Sequence, residues 1–282
     1  MELAFYGGSF TAIDAAAQEA LLAAAQPGLA DGTIGAIRLS TRPDAIDDDV
    51  IVRLRRYHVE TVELGAQSMS DAVLRAAGRG HTAADTERSA RMLKSAGFRL
   101  ILQMMTGLPG ADDGTDIESA RRIIALRPEG VRIYPTVIVK NTPLEALWRA
   151  GKYREHTVED AVRVCAAILP MMEEAGIPVI RLGLNPTEAL SGGDAVGGAY
   201  HPALGELVRS EILRQRAAEL LRDVPAGAQV TLGVARERVS AMTGQHRRNI
   251  TRLTEEFSLS SLRIVCLPEA GDGIFCRVYN DV

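Results

Sequence analysis

Gly7-Gly8-Ser9 closes the apolar run 2–6, and two successive glycines let a backbone turn sharply and offer its N–H and C=O groups to a ligand. Alone, the same pair also serves as a plain strand-to-helix turn. Further on, single polar residues end or interrupt apolar runs. Ser40-Thr41-Arg42 ends the run 34–41 just before Pro43, Gln67 ends 60–67, and Gln103 sits inside 98–106. An amide both donates and accepts, so Gln67 and Gln103 could hold a ligand or be satisfied structural amides. Arg79 lies between Gly78 and Gly80, where a guanidinium could clamp a planar carboxylate or simply be solvated. His81 could act as a base or cap the helix that starts at Thr82. Tyr134 and Lys140 bracket the end of another run, 130–139; Lys140 could equally be surface charge. In the tail, Gly244, His246, Arg247 and Arg248 bring positive charge to a helix start, a place that favours phosphate, unless the helix is only basic and solvated.

The bulk composition narrows the classes. The 282 residues are 46% hydrophobic and 24% charged, with a net charge of −4, an ordinary globular balance with room for a barrel-sized domain and a small one. The acid excess argues against an overall basic nucleic-acid binder and leaves local patches open. No run of 18 apolar residues and no basic start before a long apolar run exist, so neither a membrane span nor a signal peptide is expected, and the location is expected to be cytoplasmic. Three cysteines, Cys165, Cys266 and Cys276, are too few for a disulfide scaffold and have no spacing for three ligands of an iron–sulfur cluster. Cys165 reads as a core thiol. Cys266 and Cys276 flank the turn 268–273 and are expected to face each other across a hairpin, as a reduced packing pair.

These residues need elements to hold them. Strands are expected at 2–6, 34–41, 60–67, 98–106, 130–139 and 178–184, and helices near 14–26, 47–57, 82–96, 115–126, 142–150 and 157–175. Asp47 and Thr82 read as N-caps and Gly97 as the glycine past a helix end. The alternation implies a parallel sheet with helices outside, and strands such as Leu100-Ile101-Leu102 read as apolar on both faces. The polar clusters all fall at the C-terminal ends of strands, which favours a barrel-like ring of sites over one switch point. Residues 185–202 are glycine-rich and read as a loop; a helix over about 203–222 and a tail of strand, helix, helix, strand, strand follow.

Six landmarks occur in order at expected strand ends: Phe-Tyr-Gly-Gly-Ser-Phe-Thr (5–11), Ile-Arg-Leu-Ser-Thr-Arg-Pro-Asp (37–44), Val-Glu-Leu-Gly-Ala-Gln-Ser-Met (62–69), Gly-Arg-Gly-His-Thr (78–82), Gly-Leu-Pro-Gly (107–110) and Arg-Ile-Tyr-Pro-Thr-Val-Ile-Val-Lys (132–140). Together they resemble the radical S-adenosylmethionine (SAM) superfamily, in the branch of the elongator catalytic subunit and the oxygen-independent coproporphyrinogen oxidases. The strand with Tyr134 and Pro135, followed by Lys140 and Thr142-Pro143-Leu144, looks closer to the elongator type. The resemblance implies an α/β fold, a partial (β/α) barrel missing its first strand, over 1–190. A glycine-rich loop and helical connector would span 191–225 and a small α/β domain 226–282. It implies SAM as cofactor, held by Gly7, Gly8, Ser9, Ser40, Gln67, Arg79 and Gln103, with Gln67 on the ribose hydroxyls and Arg79 on the carboxylate. Ser40 stands where the family has a carboxylate. Glu63, on the same face as Gln67, reads as an ion-pair partner. Tyr134 and Lys140 would contact substrate. The family's 4Fe–4S cluster needs CxxxCxxC on the loop after the first strand, and this sequence has no such motif. The tail resembles the K-homology RNA-binding core, with Gly244 in the place of its first loop glycine and Arg247 in that of its second.

Three readings compete. The first is an elongator-like radical SAM protein that, when complete, acts on RNA, such as a tRNA wobble uridine, and takes electrons from a donor. The second is a cluster-less barrel that binds SAM or RNA without catalysis. The third is an α/β-barrel enzyme without radical chemistry.

Overall fold

The computed structural model describes residues 1–7, 9–188 and 190–279, so Gly8, one of the expected cofactor contacts, lies outside the described residues. The chain divides into two compact units. One comprises residues 1–164 with 168–202; the other begins at Ala203 and takes in Cys165–Ala167.

The first unit alternates strands and helices: β1 (Glu2–Phe5), α1 (Ala15–Ala30), β2 (Ala36–Thr41), α2 (Asp48–Arg56), β3 (Val59–Gln67), α3 (Asp71–Ala76), α4 (Ala83–Ser95), β4 (Arg99–Thr106), α5 (Asp113–Ala125), β5 (Gly130–Pro135), β6 (Val137–Val139), α6 (Pro143–Arg149), α7 (Val158–Glu174), β7 (Val179–Leu182) and β8 (Ala195–Gly198). Caps explain several boundaries. Asp47 accepts from Val50 N, and Thr82 and Asp85 cap α4 reciprocally. Gly97 ends α4 with φ +86°, as a glycine past a helix end does. Helix α3 was not among the expected elements; it is a short turn of chain between β3 and the Arg79 loop.

Six strands form one parallel sheet in the order β1-β2-β3-β4-β5-β7. The order never reverses, so right-handed crossovers carry every connecting helix to the same face. A doubly wound sheet would reverse at a switch point; this one is an open, curled half-barrel. Ile37, Leu39, Val62, Leu64, Leu102, Met104 and Ile133 fill the helix side of the sheet and are almost wholly buried, as are Leu93 and Ile123 of the covering helices α4 and α5.

Among the described residues of this unit the other face carries no helix, and this corrects the expectation of strands apolar on both sides. The alternate positions include Arg38, Ser40, Glu63, Gln103, Arg132 and Tyr134. Glu63 Oε2 accepts from Arg38 Nη2 at 2.9 Å and stands 3.2 Å from Arg132 Nε. Tyr6 lies 6.0 Å from both guanidinium carbons, and Arg132 Nη1 donates to Tyr134 Oη at 3.3 Å. Glu63 is therefore the structural ion-pair partner that the sequence led us to expect.

The glycine-rich segment after β7 holds more order than its composition implied. Residues 195–198 pair antiparallel with β6, with Ile138 opposite Gly197.

The second unit contains α8 (Leu204–Leu221), β9 (Gln229–Val234), α9 (Val239–Thr243), α10 (Arg248–Glu256), β10 (Ser261–Cys266) and β11 (Phe275–Tyr279). Strand β9 is central, with β10 parallel on one side and β11 antiparallel on the other. Val230, Leu232 and Val234 pack with Leu213, Leu221, Met242 and Leu253 from the helices. The tail has the expected element order, yet the cysteine pairing is wrong. Cys266 is registered with Val234 and Cys276 with Leu232, so β9 separates them, and both are free thiols.

Removing Glu63 leaves two guanidiniums on the inner face without their shared carboxylate. Glu63→Ala is expected to lower unfolding free energy by about 3–5 kcal/mol in a denaturant titration; a loss below about 1 kcal/mol would refute the pairing as a structural requirement.

Candidate functional site

The C-terminal ends of β2 to β5 carry the polar side chains that the sequence singled out. Register between β3 and β4 shifts between Gly65 and Gln67: Gly65 lies opposite Gln103 and Gln67 opposite Met104. Gln67 occupies the left-handed region at φ +63°, uncommon for a residue with a Cβ. A Cβ at Gly65 would stand 2.6 Å from Gln67 Nε2, so glycine is what lets this amide fold back over its own strand. Gln103 Nε2 then donates to Gln67 Oε1 at 3.1 Å. The bulge also turns the Ala66 carbonyl toward His81, whose Nε2 lies 3.0 Å from it. His81 is buried there, so it supports the bulge and presents no base to a ligand.

Arg79 reaches the same face. Its Nη2 lies 3.7 Å from Met105 Sδ, two residues beyond Gln103 on β4. Among the described residues no carboxylate stands within ion-pair distance of it. Ser40 Oγ, on the sheet's inner side, is buried without a hydrogen-bond partner. Tyr134 is registered with Met105 and faces the same way. The segment after Gly7 is anchored by Thr11, whose Oγ1 lies 2.6 Å from Thr41 Oγ1 at the end of β2. Gly7 itself sits at φ +136° with open space where a Cβ would be. Ser9 precedes a short 3-10 turn, Phe10–Ala12, and makes no side-chain cap. The structure thus brings Gln67, Gln103 and Arg79 together, with Ser40 and Tyr134 on the same face. Lys140 stands apart, exposed on the ribbon of β6 and β8.

A second cluster, missed in the sequence, buttresses the end of β4. Gly107 has φ +69°, and a Cβ there would overlap the His156 ring at 2.0–2.5 Å. His156 Nε2 lies 3.1 Å from Thr106 Oγ1, Tyr153 Oη donates to Gly107 O at 2.7 Å, and Gly107 N donates to Asp116 Oδ2 at 2.8 Å. Burial holds the Asp116 carboxyl up at about 7 and the Tyr153 hydroxyl up at about 12, and it pushes the His156 imidazole down. The available signal was the Thr106-Gly107 strand end; its partners lie on α5 and beyond α6, out of reach of any local pattern.

In the second unit, residues 245–248 are exposed between α9 and α10. Gly244, His246 and Arg247 all have positive φ, +74°, +51° and +60°. Arg247 therefore holds a backbone conformation that glycine would take more easily. Helix α10 starts with no side-chain cap and no acidic residue in its first turn.

Asp116 makes stability depend on pH in a defined direction. Its folded pKa of about 7 lies above the usual carboxylate value, so the folded protein keeps a proton that the unfolded chain has lost. That stabilisation is full below about pH 4 and is lost as pH rises toward 7. Asp85 and Asp160, both held at about 2, act in the opposite sense and only at lower pH. Asp116→Asn is expected to gain on the parent in melting temperature between pH 5 and pH 8, as followed by circular dichroism. An unaltered gap between the two pH values would contradict the burial of a titrating carboxyl.

Comparison with known proteins places the fold in a family. Residues 2–123 match the Radical SAM superfamily and residues 128–214 the Radical_SAM C-terminal domain. Elongator complex protein 3 of Homo sapiens is 32% identical over 139 residues, 48% of this chain and 25% of that protein. The tRNA uridine(34) acetyltransferase of Methanocaldococcus jannaschii is 30% identical over 132 residues, 46% of this chain and 24% of that protein. The chain thus spans about a quarter of the length of these relatives. Among solved structures, Methanocaldococcus infernus Elp3 with an N-terminal deletion superposes with a TM-score of 0.65 at 24% identity, covering 76% of this chain and 54% of that one. Coproporphyrinogen III oxidase from Escherichia coli gives 0.51 at 15% identity, covering 62% and 40%. Both share the fold, and with the two matched regions spanning most of the sequence, the chain belongs to the radical SAM superfamily.

Proposed function

We propose that this chain is the SAM- and RNA-binding barrel of an elongator-like protein that modifies a uridine in tRNA. The observation that carries the reading is the convergence of Arg79, free of any acidic partner, with the Gln67–Gln103 amide pair at the ends of β3 and β4. The residues present fit SAM. Arg79 is suited to its carboxylate, the amide of Gln67 to its ribose hydroxyls, and the unpartnered Ser40 hydroxyl to a further polar contact. Gly7, Gly8 and Ser9, which follow β1 in sequence, would supply backbone contacts, and Gln103 holds Gln67 in place. Bound SAM supplies a sulfonium whose carbon–sulfur bonds are activated. Tyr134, on the same face, and Lys140, on the rim ribbon, would meet the substrate. Gly244, His246, Arg247 and Arg248 would meet RNA phosphates.

The family's 4Fe–4S cluster is a different matter. Cys165 is buried within α7, while Cys266 and Cys276 lie on β10 and β11. Among the described residues no group of three His, Cys, Asp or Glu side chains is placed to hold a metal. These residues do not fit the cluster, and no step is derived through it. The second reading, binding without catalysis, is favoured for these 282 residues by that same donor set.

Two measurements test this. Calorimetric titration of the chain with SAM should show binding, and Arg79→Ala should weaken it by roughly 1.5–3 kcal/mol, the worth of a charge-assisted hydrogen bond. An unchanged dissociation constant would remove Arg79 from the site. Anaerobic treatment with iron and sulfide should yield no stoichiometric 4Fe–4S spectrum and no 5′-deoxyadenosine; formation of both would overturn the reading that this chain alone is silent.

A further inference from the structure

The sheet of the second unit buries one face under its helices; on the other, Leu267 packs over Gly233, and the side chains of β11 and β10 stay exposed. On that face of β11, Phe275, Arg277 and Tyr279 point outward together; Phe275 is 53% and Tyr279 44% exposed. Register places Arg277 opposite Thr231 of β9, and Thr231 opposite Arg263 of β10, with Val265 beyond it at 41% exposure. Two arginines thus cross the middle of the face, between aromatic rings at both ends of its edge strand. Neither Arg263 nor Arg277 has a carboxylate partner among the described residues. The Arg277 guanidinium instead lies 5.5 Å from the centre of the Tyr279 ring. From Ala203 onward the sequence holds eleven arginines against ten carboxylates, unlike the acidic remainder of the chain.

We propose that this face binds unpaired, single-stranded RNA, independently of the SAM reading and at a surface other than the loop at residues 244–248. Phe275 and Tyr279 are four residues apart on one strand, so they stand about 13 Å apart. Successive bases in a stacked strand rise only about 3.4 Å. The two rings therefore suit bases splayed out of a stack, each laid flat on one ring. A duplex presents only base edges, so its paired bases have no face to offer these rings. Arg263 and Arg277 supply the positive charge that the sugar–phosphate backbone requires, and the small Thr231 leaves the centre of the face low enough for a strand to cross. Exposed aromatics could also receive an apolar protein surface. The unpaired arginines count against that partner, because burying them without acceptors costs free energy that a polyanion would return.

The test uses the full chain and a fluorescein-labelled 12-nucleotide oligouridine, read by anisotropy. Binding at low salt is expected to weaken roughly 5- to 150-fold in Phe275→Ala and in Tyr279→Ala, the worth of one base stacked on an aromatic ring. Phe275→Trp should bind at least as well as the parent, a rescue that a merely structural role would not show. Arg263→Ala with Arg277→Ala should reduce the slope of log K against log salt by about 0.7 per arginine. A self-complementary RNA duplex should compete poorly. The proposal is overturned if Phe275→Ala with Tyr279→Ala, folded by circular dichroism, binds like the parent. It is overturned equally if Arg247→Glu with Arg248→Glu abolishes binding while the sheet variants do not, if duplex competes as well as single strand, or if the chain forms a dimer that Phe275→Ala dissolves.

Discussion

One carboxylate governs the inner face of the half-barrel. The strand order never reverses, so one side of the sheet has no helices and its side chains must satisfy one another. Glu63 does so for two arginines: Arg38 donates to it and Arg132 stands beside it, while the Tyr6 ring faces both guanidiniums. An apolar inner face would have been simpler to pack. A polar one costs desolvation, and it repays that cost only while its geometry holds. With those charges occupied by one another, the polar groups still available lie at the strand ends, where, among the described residues, Arg79 has no acid beside it and Ser40 Oγ has no hydrogen-bond partner.

Two unusual backbone turns lie in the same place. Gln67 holds φ +63° next to a register shift, and Gly107 turns tightly against the His156 ring. Each is maintained by buried neighbours. His81 holds the Ala66 carbonyl, and Asp116 with Tyr153 holds the amide and carbonyl of Gly107. A positive φ like that of Gln67 persists only where the surroundings over-determine it. It aims the Gln67 amide across to Gln103, which gives the site its pair of hydrogen-bonding groups.

The second unit is built on the opposite plan. Its helices cover one face of a three-stranded sheet, and buried Asn249 ties the helices together by donating to the Ser210 and Ala241 carbonyls. Its other face carries aromatic rings and unpaired arginines into solvent. A surface of that kind suits a flat, charged ligand.

Much of this was legible in the sequence because it is local. Apolar periodicity marked all six strands of the main sheet, the caps at Asp47 and Thr82 marked helix starts, and polar residues at strand ends marked the candidate site. The order of elements in the tail followed from the same patterns. What the sequence could not contain was which elements become neighbours. Cys266 and Cys276 looked like a hairpin pair until β9 was found between their strands. The glycine-rich stretch at 195–198 reads as loop, yet it finds a partner in β6. Asp116, Tyr153 and His156 meet around Gly107 only because α5 and the segment before α7 pack there. Alternation along a strand reports that two faces differ; only the packed sheet decides which one is left without helices, and hence why Arg38, Glu63 and Arg132 had to find one another.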